Sequence, residues 1–185
     1  ACSAWAPTPD RRSRRRLPTV VAMATPDFIL DLRSRIGTRM LWLSGVTVGV
    51  HRPGPSGTEW LLVRNAETGR WSPVTGIIDP GEHPYQAAVR EVAEEAAVDA
   101  EIERLVWQDI TDVVTYSNGD QTQYMNNTFR TRWVAGDPRP ADGENVEAAF
   151  FAESDLPPMS AQHSAAMRVL LADAPECGLG AIPAA

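Results

Sequence analysis

The sequence predicts a single α/β domain in which a mixed sheet lies between helices. Two observations carry that expectation. Apolar residues recur at helical spacing in three separate segments, and the stretches between them alternate in the manner of strands. Turn signals rich in Gly and Pro punctuate those stretches, giving the order helix, strands, helix, strands, helix. At 185 residues the chain is long enough for one domain with a sizeable core and too short for two full ones.

Composition narrows the class of function. With 43% hydrophobic and 22% charged residues the chain reads as an ordinary soluble globular protein. No apolar run approaches the roughly 18 residues of a membrane span, so no membrane partner is expected. Cys2 and Cys177 lie near opposite ends with no paired-cysteine spacing, which argues against a disulfide framework or a structural zinc site. A reducing, cytoplasmic setting is the expectation. The net charge is −7, unevenly spread: residues 1–22 hold five arginines and one acid, leaving twelve basic against twenty-three acidic groups, or −11, on the rest. So acidic a body is a poor binder of nucleic acid backbones, and no nucleic acid partner is expected. There is no lysine, so any cation reading a phosphate must be an arginine with its planar fork of donors.

The elements follow in order. Residues 1–24, with "PTPDRRSRRRLPTV", read as a disordered Arg/Pro-rich tail or as sequence upstream of a start at Met23; a basic patch for nucleic acid or a membrane surface is the alternative. The domain is expected over 25–174. Thr25 is a plausible N-cap with Pro26 at the first helical position, Phe28, Ile29, Leu32 and Ile36 mark one face, and Gly37 can end the helix. "SGVTVGVHR" then sets Val46, Val48 and Val50 on one face of a strand, "PGPSG" turns, and "WLLVRN" is a second strand. A third extended stretch runs from Trp71 to Thr75. The next helix covers about Pro84 to Ala97. Two long strands, 101–116 and 121–134, are joined by "SNGD", where Asn-Gly signals a hairpin. A strand at 146–151 and a closing helix follow, and residues 175–185 are expected to be a flexible tail.

"GIIDPGEHPYQAAVREVAEEAAV" (76–98) carries the chemistry. With Glu91 at zero on a helical wheel, Glu94 falls near −60° and Glu95 near +40°, while Ala88, Val89, Val92, Ala93 and Ala96 occupy roughly 60–200°. The helix is thus expected to bury one side and to carry three carboxylates on its solvent side. Like charges at these spacings destabilise a helix by a few tenths of a kcal/mol each. A solvated acidic face tolerates that cost; alternatively, a hard divalent cation such as Mg²⁺ answers the repulsion and presents open positions to a phosphate.

This stretch resembles the box of the Nudix hydrolases: a Gly, five residues, Glu, seven residues, then Arg-Glu-apolar-x-Glu-Glu-x-Gly-apolar. Gly76, Glu82, Arg90, Glu91, Val92, Glu94, Glu95 and Val98 fill it, and Ala97 stands where the family usually has Gly. Ala97 either adopts the left-handed cap that Gly permits, at a cost of about 1 kcal/mol, or the helix runs on to Asp99. The resemblance implies a Nudix-type α/β/α sandwich with a mixed sheet and an appended N-terminal helix. It implies Mg²⁺ or Mn²⁺ held by Glu91, Glu95 and Glu94, with Glu82 and the Gly76 carbonyl contributing, Glu94 as ligand or base, and Arg90 in a structural role. Such enzymes often have a further acid late in the domain, for which Glu144 is preferred over Glu147.

For substrate contacts, Arg64 matches a family position that faces the diphosphate, or is a solvent-exposed strand arginine. Tyr116 lies near a position where members acting on dinucleoside polyphosphates carry a substrate tyrosine, or it packs. In the strand 121–134, Tyr124, Asn126, Thr128, Arg130 and Arg132 share one face by alternation, which either lines the pocket or is a solvated sheet face. The implied activity is pyrophosphohydrolysis of a nucleoside diphosphate linked to another group, ADP-ribose-like or a nucleoside triphosphate, through water attack on phosphorus. The expected partner is a small nucleotide, and a homodimer is an allowed assembly. A non-catalytic nucleotide-binding module of the same fold is the alternative, although such modules generally lose box acids and this chain retains them.

Overall fold

The computed structural model describes residues 25–180; the expected tail at 1–24 lies outside them. Among the described residues there are three α-helices, α1 (Asp27–Ile36), α2 (Pro84–Ala96) and α3 (Ala161–Ala172), and a short 3-10 turn at Glu153–Asp155. The strands are β1 (Leu41–Gly54), β2 (Gly57–Asn65), β3 (Trp71–Ser72), β4 (Val74–Ile77), β5 (Asp99–Ile110), β6 (Val114–Thr115), β7 (Gln121–Ala135), β8 (Asn145–Ala152) and β9 (Gly178–Leu179). All belong to one mixed sheet ordered β3-β2-β1-β7-β5-β9, with β4 also on β1, β6 on β7 and β8 on β2. β1 and β7 run parallel through its centre, from Leu41 opposite Thr122 to His51 opposite Arg132.

Both faces of the sheet are covered, which is why residues 41–50 of β1 and 121–129 of β7 carry no charged side chain. On one face Val46, Val48, Val50, Leu61, Val63, Val74 and Phe129 pack on Ala87, Ala88, Val92 and Ala96 of α2. On the other, Trp60, Leu62, Val106 and Trp107 pack on Ala166, Met167 and Leu170 of α3. Gly49 makes the second contact possible, because a Cβ there would lie 2.5 Å from Leu170 Cδ1.

Several boundaries differ from the sequence expectation for local reasons. The stretch 101–116 is interrupted after Ile110: the Thr111 hydroxyl accepts from the Tyr124 N–H at 3.0 Å, substituting a side chain for the regular ladder. Across the expected Asn-Gly hairpin, Thr115 pairs with Gln121, and Gly119 takes φ 86°. α1 starts at Asp27 with Pro26 at its cap, one residue later than expected and without a side-chain cap from Thr25. Arg33 fastens this helix to the hairpin, donating to the Gln121 carbonyl at 2.8 Å and facing Asp120 at 3.3 Å. Within the stretch expected as a tail from Pro175, Gly178 and Leu179 pair with Trp107 and Gln108, and Trp107 Nε1 donates to the Gly180 carbonyl at 2.7 Å.

α2 ends as the first of its two alternatives. Ala97 takes φ 54° and ψ 37°, a left-handed cap, and its N–H bonds to the Ala93 carbonyl at 3.1 Å. The chain then turns directly into β5. Nothing about alanine favours this conformation, so the surrounding packing imposes it. Ala97→Gly should therefore stabilise the protein by about 0.5–1 kcal/mol, read as a higher urea midpoint at unchanged slope. A lower midpoint would show that the cap is not strained.

Candidate active site

Arg90 is the hub of the box. Its Nε and Nη2 grip the two oxygens of Glu82, each at 2.9 Å. Nη1 donates to Glu91 Oε1 at 2.8 Å and Glu94 Oε2 at 2.9 Å, and Nη2 also donates to the Ile77 carbonyl at 3.1 Å. Those contacts engage all the N–H groups a guanidinium has. Glu82 additionally accepts from the Asp79 N–H at 3.2 Å, so one arginine ties the turn, the end of β4 and the helix together. Its hydrogen bonds hold the Glu82 carboxyl below the usual carboxylate range, and Glu82 in turn raises Arg90 further above neutrality.

The solvent-side placement of the acids needs correction. Glu91 is only 5% exposed and Glu95 6%. The wheel sets both beside the apolar stripe, and α2 packs closely on β4, so the carboxylates go under the helix rather than away from it. The close approach depends on Gly76: a Cβ there would lie 2.0 Å from Glu91 Cδ, so the acid rests on bare backbone. Glu95 lies deeper and accepts from Asn145 Nδ2 at 3.0 Å. Glu94 is half-buried.

A cleft of about 710 Å³ opens beside these groups. Glu91, Glu94 and Arg90 line it with Gly76 and Asp79, as do Glu144 from the loop before β8 and Tyr116, Tyr124 and Asn126 from the hairpin side. Pro26 at the start of α1 and Ser160, Gln162 and His163 at the start of α3 complete the wall. The hydroxyls of Tyr116 and Tyr124 are 2.8 Å apart. The structure therefore gathers Gly76, Glu91, Glu94, Glu144, Tyr116 and Tyr124 around one space, with Glu82 and Glu95 behind them.

Two expected substrate residues are elsewhere. Arg64 pairs with Glu147, opposite it on β8, and does not line the cleft. Arg130 lies over the Trp60 ring at 5.1 Å, donates to the Leu170 carbonyl at 3.0 Å and faces Glu103 at 3.1 Å. Alternation placed it correctly on the face of Tyr124 and Asn126, but α3 covers that face further along the strand. Glu147, bound to Arg64, is likewise not a cleft residue. Sequence reasoning missed Asp142, which is 4% exposed and accepts from the Glu144 N–H at 2.9 Å, and Asn145, the partner of Glu95. The turn-forming string "ADGEN" was the available signal.

A family model described as NUDIX domain matches residues 44–173. The chain belongs to the Nudix hydrolase family. It is 30% identical over 116 residues to the NAD-capped RNA hydrolase NudC of Pseudomonas aeruginosa, a match over 62% of this chain and 39% of that protein. The chain thus spans about two-fifths of the length of that curated relative. Among solved structures, an ADP-ribose pyrophosphatase from Streptococcus suis superimposes with a TM-score of 0.55 at 22% identity, over 75% of this chain and 97% of that one. An Ap4A hydrolase from C. elegans gives 0.56 at 20%, over 70% and 96%. At these identities the two structures report the shared Nudix fold.

The electrostatics of this Nudix site leave negative charge unanswered. Among the described residues, no three His, Cys, Asp or Glu side chains are gathered as a ready-made metal cage; Arg90 holds Glu82, Glu91 and Glu94 in its place. One cation does not neutralise the whole group. Burial pushes Glu91 up to about 7, against the opposing pull of Arg90. Burial, then the charges of Glu91 and Asp142, drive Glu95 well above the usual range, and burial with Asp142 raises Glu144. Surplus charge on hard oxygen donors is the chemistry that suits Mg²⁺ or Mn²⁺.

The raised pKa of Glu91 fixes the sign of a pH effect. A group that binds its proton more tightly when folded contributes stability below its unfolded pKa and loses it as pH rises through the folded value. Relative to Glu91→Gln, the metal-free wild type should thus lose about 1–3 kcal/mol between pH 4.5 and roughly 7.5. Urea unfolding in chelator across that window measures it; a difference independent of pH would contradict the buried placement of Glu91.

Proposed function

We propose that this protein is a divalent-metal-dependent pyrophosphohydrolase that cleaves a nucleoside diphosphate linked to another group by water attack on phosphorus. The observation that carries this reading is the concentration of Glu91, Glu94 and Glu144 on one cleft, with Glu95 buried behind them and a single saturated arginine among them. Glu91, Glu94 and Glu95 would hold Mg²⁺ or Mn²⁺, with the Gly76 carbonyl beside them and Glu82 as a brace. Such an ion supplies neutralisation of phosphate oxygens and a water of lowered pKa.

The remaining work falls to the chain's own groups. Arg90 keeps Glu82, Glu91 and Glu94 in register instead of reaching for a phosphate, since its donors are already engaged. Glu144, across the cleft and raised by its surroundings, is the proposed acceptor of the proton from the attacking water, with Glu94 as the other carboxylate open to the cleft. Tyr116 and Tyr124 offer a surface for the non-phosphate part of the substrate. The acidic body favours a small nucleotide over a nucleic acid strand. Among the described residues no helix is long and apolar enough to cross a membrane.

A phosphate-release screen over ADP-ribose, NADH, dinucleoside polyphosphates and nucleoside triphosphates, with and without Mg²⁺, tests the proposal. Glu91→Gln and Glu95→Gln should each lower turnover by about a hundredfold or more. Both should remain folded, because glutamine mimics the protonated acid that burial already favours. Metal-independent turnover would remove the metal role, and flat activity across the panel, unchanged by Glu95→Gln, would remove the hydrolase reading. Deleting residues 1–22 should leave turnover intact; a large drop would assign the Arg-rich segment to the site or to an oligomer contact.

A further inference from the structure

Resting on the hydrolase reading above, we propose that the cleft selects a diphosphate whose far side carries an uncharged sugar or nucleoside, and discriminates against chains of three or more phosphates. The basis is the charge of the walls. Asp79, Glu91, Glu94, Asp112 and Glu144 all line the cleft. Among the described residues, the only arginine lining it is Arg90, and every N–H of that guanidinium already points at a carboxylate or a carbonyl. The chain has no lysine. His163, the remaining basic side chain in the wall, has its pKa lowered by burial and adds no positive charge near neutral pH.

The rest of the wall is built for neutral groups. Tyr124 lies against the backbone at Gly45, where a Cβ would come within 3.3 Å of its ring, and its hydroxyl is engaged with that of Tyr116. Asn126 and Gln162 are both anchored on Asp109, at 3.3 and 2.9 Å, so two amides stand fixed in the wall without bringing a charge. A sugar or base ring finds aromatic faces and amide edges there. A third or fourth phosphate instead brings added negative charge toward Asp112 and Glu144, with no free side-chain cation among the described residues of the wall to receive it, a repulsion strengthened by the low-dielectric walls.

Two measurements on the full chain decide the matter. With saturating Mg²⁺, kcat/KM should fall at least tenfold along diadenosine compounds joined by two, three and four phosphates, which share the same nucleosides. In chelator, titration calorimetry should give ATP a Kd at least tenfold weaker than ADP-ribose, and Asp112→Arg should narrow both ratios. A flat or rising preference for longer phosphate chains, or ATP binding as tightly as ADP-ribose, would overturn the selectivity and leave the hydrolase reading standing. Failure to turn over any of these compounds with Mg²⁺ present would overturn both.

Discussion

One guanidinium organises the part of this protein that matters chemically. Arg90 bonds to three carboxylates and a backbone carbonyl, so the box turn, the end of β4 and the second half of α2 cannot move independently. Removing it would leave Glu82 and Glu91 as uncompensated carboxylates, one of them buried. Breaking a buried charge group by deleting one partner typically costs about 3–5 kcal/mol, far more than an exposed pair contributes. In the proposed hydrolase the same arrangement would let Arg90 act without touching substrate, because its donors fix where the carboxylates stand.

Bare backbone is the second constraint. Gly76 lets Glu91 rest on β4, and Gly49 lets Leu170 of α3 rest on β1. At both points a helix is drawn closer to the sheet than any side chain would permit. The first approach sets the depth of the acids; the second closes the opposite face, so that the start of α3 reaches the cleft wall. Packing on the two faces of the sheet is thereby coupled to the shape of the site.

Much of this was legible in the sequence, and the rest was hidden for identifiable reasons. The box spacing located the acids and their brace because those contacts are local: Glu82 to Arg90 spans eight residues and Arg90 to Glu94 four. Alternation in β7 put Tyr124 and Asn126 on one face but left open whether that face lined a pocket or met solvent. The wheel failed on depth, since it gives the angle of Glu91 and Glu95 but not how closely α2 approaches β4. Parity failed on Arg130, since it names a face but not where a helix far along the chain covers it. Asn145 went unseen because its partner, Glu95, lies fifty positions away in a different element, and Asp142 because its hydrogen bond is to the backbone N–H of Glu144 within an irregular loop. Ala97 was undecided in sequence because a residue preference cannot say whether packing will override it.

Charge balance links the fold to the chemistry. In a lysine-free, acidic body, Arg52, Arg64, Arg104, Arg130 and Arg132 each face a carboxylate on another element. These pairs offset the charges carried by the long strands, and where Arg104 lies opposite Arg130 both face Asp173. A consequence is that these guanidiniums are directed across the sheet surfaces rather than into the cleft. The cleft thus holds carboxylates in excess beside aromatic and amide groups. Under the proposed function, such a site would meet phosphate most favourably through a bound divalent ion and would recognise what lies beyond the phosphate by shape and neutral hydrogen bonds.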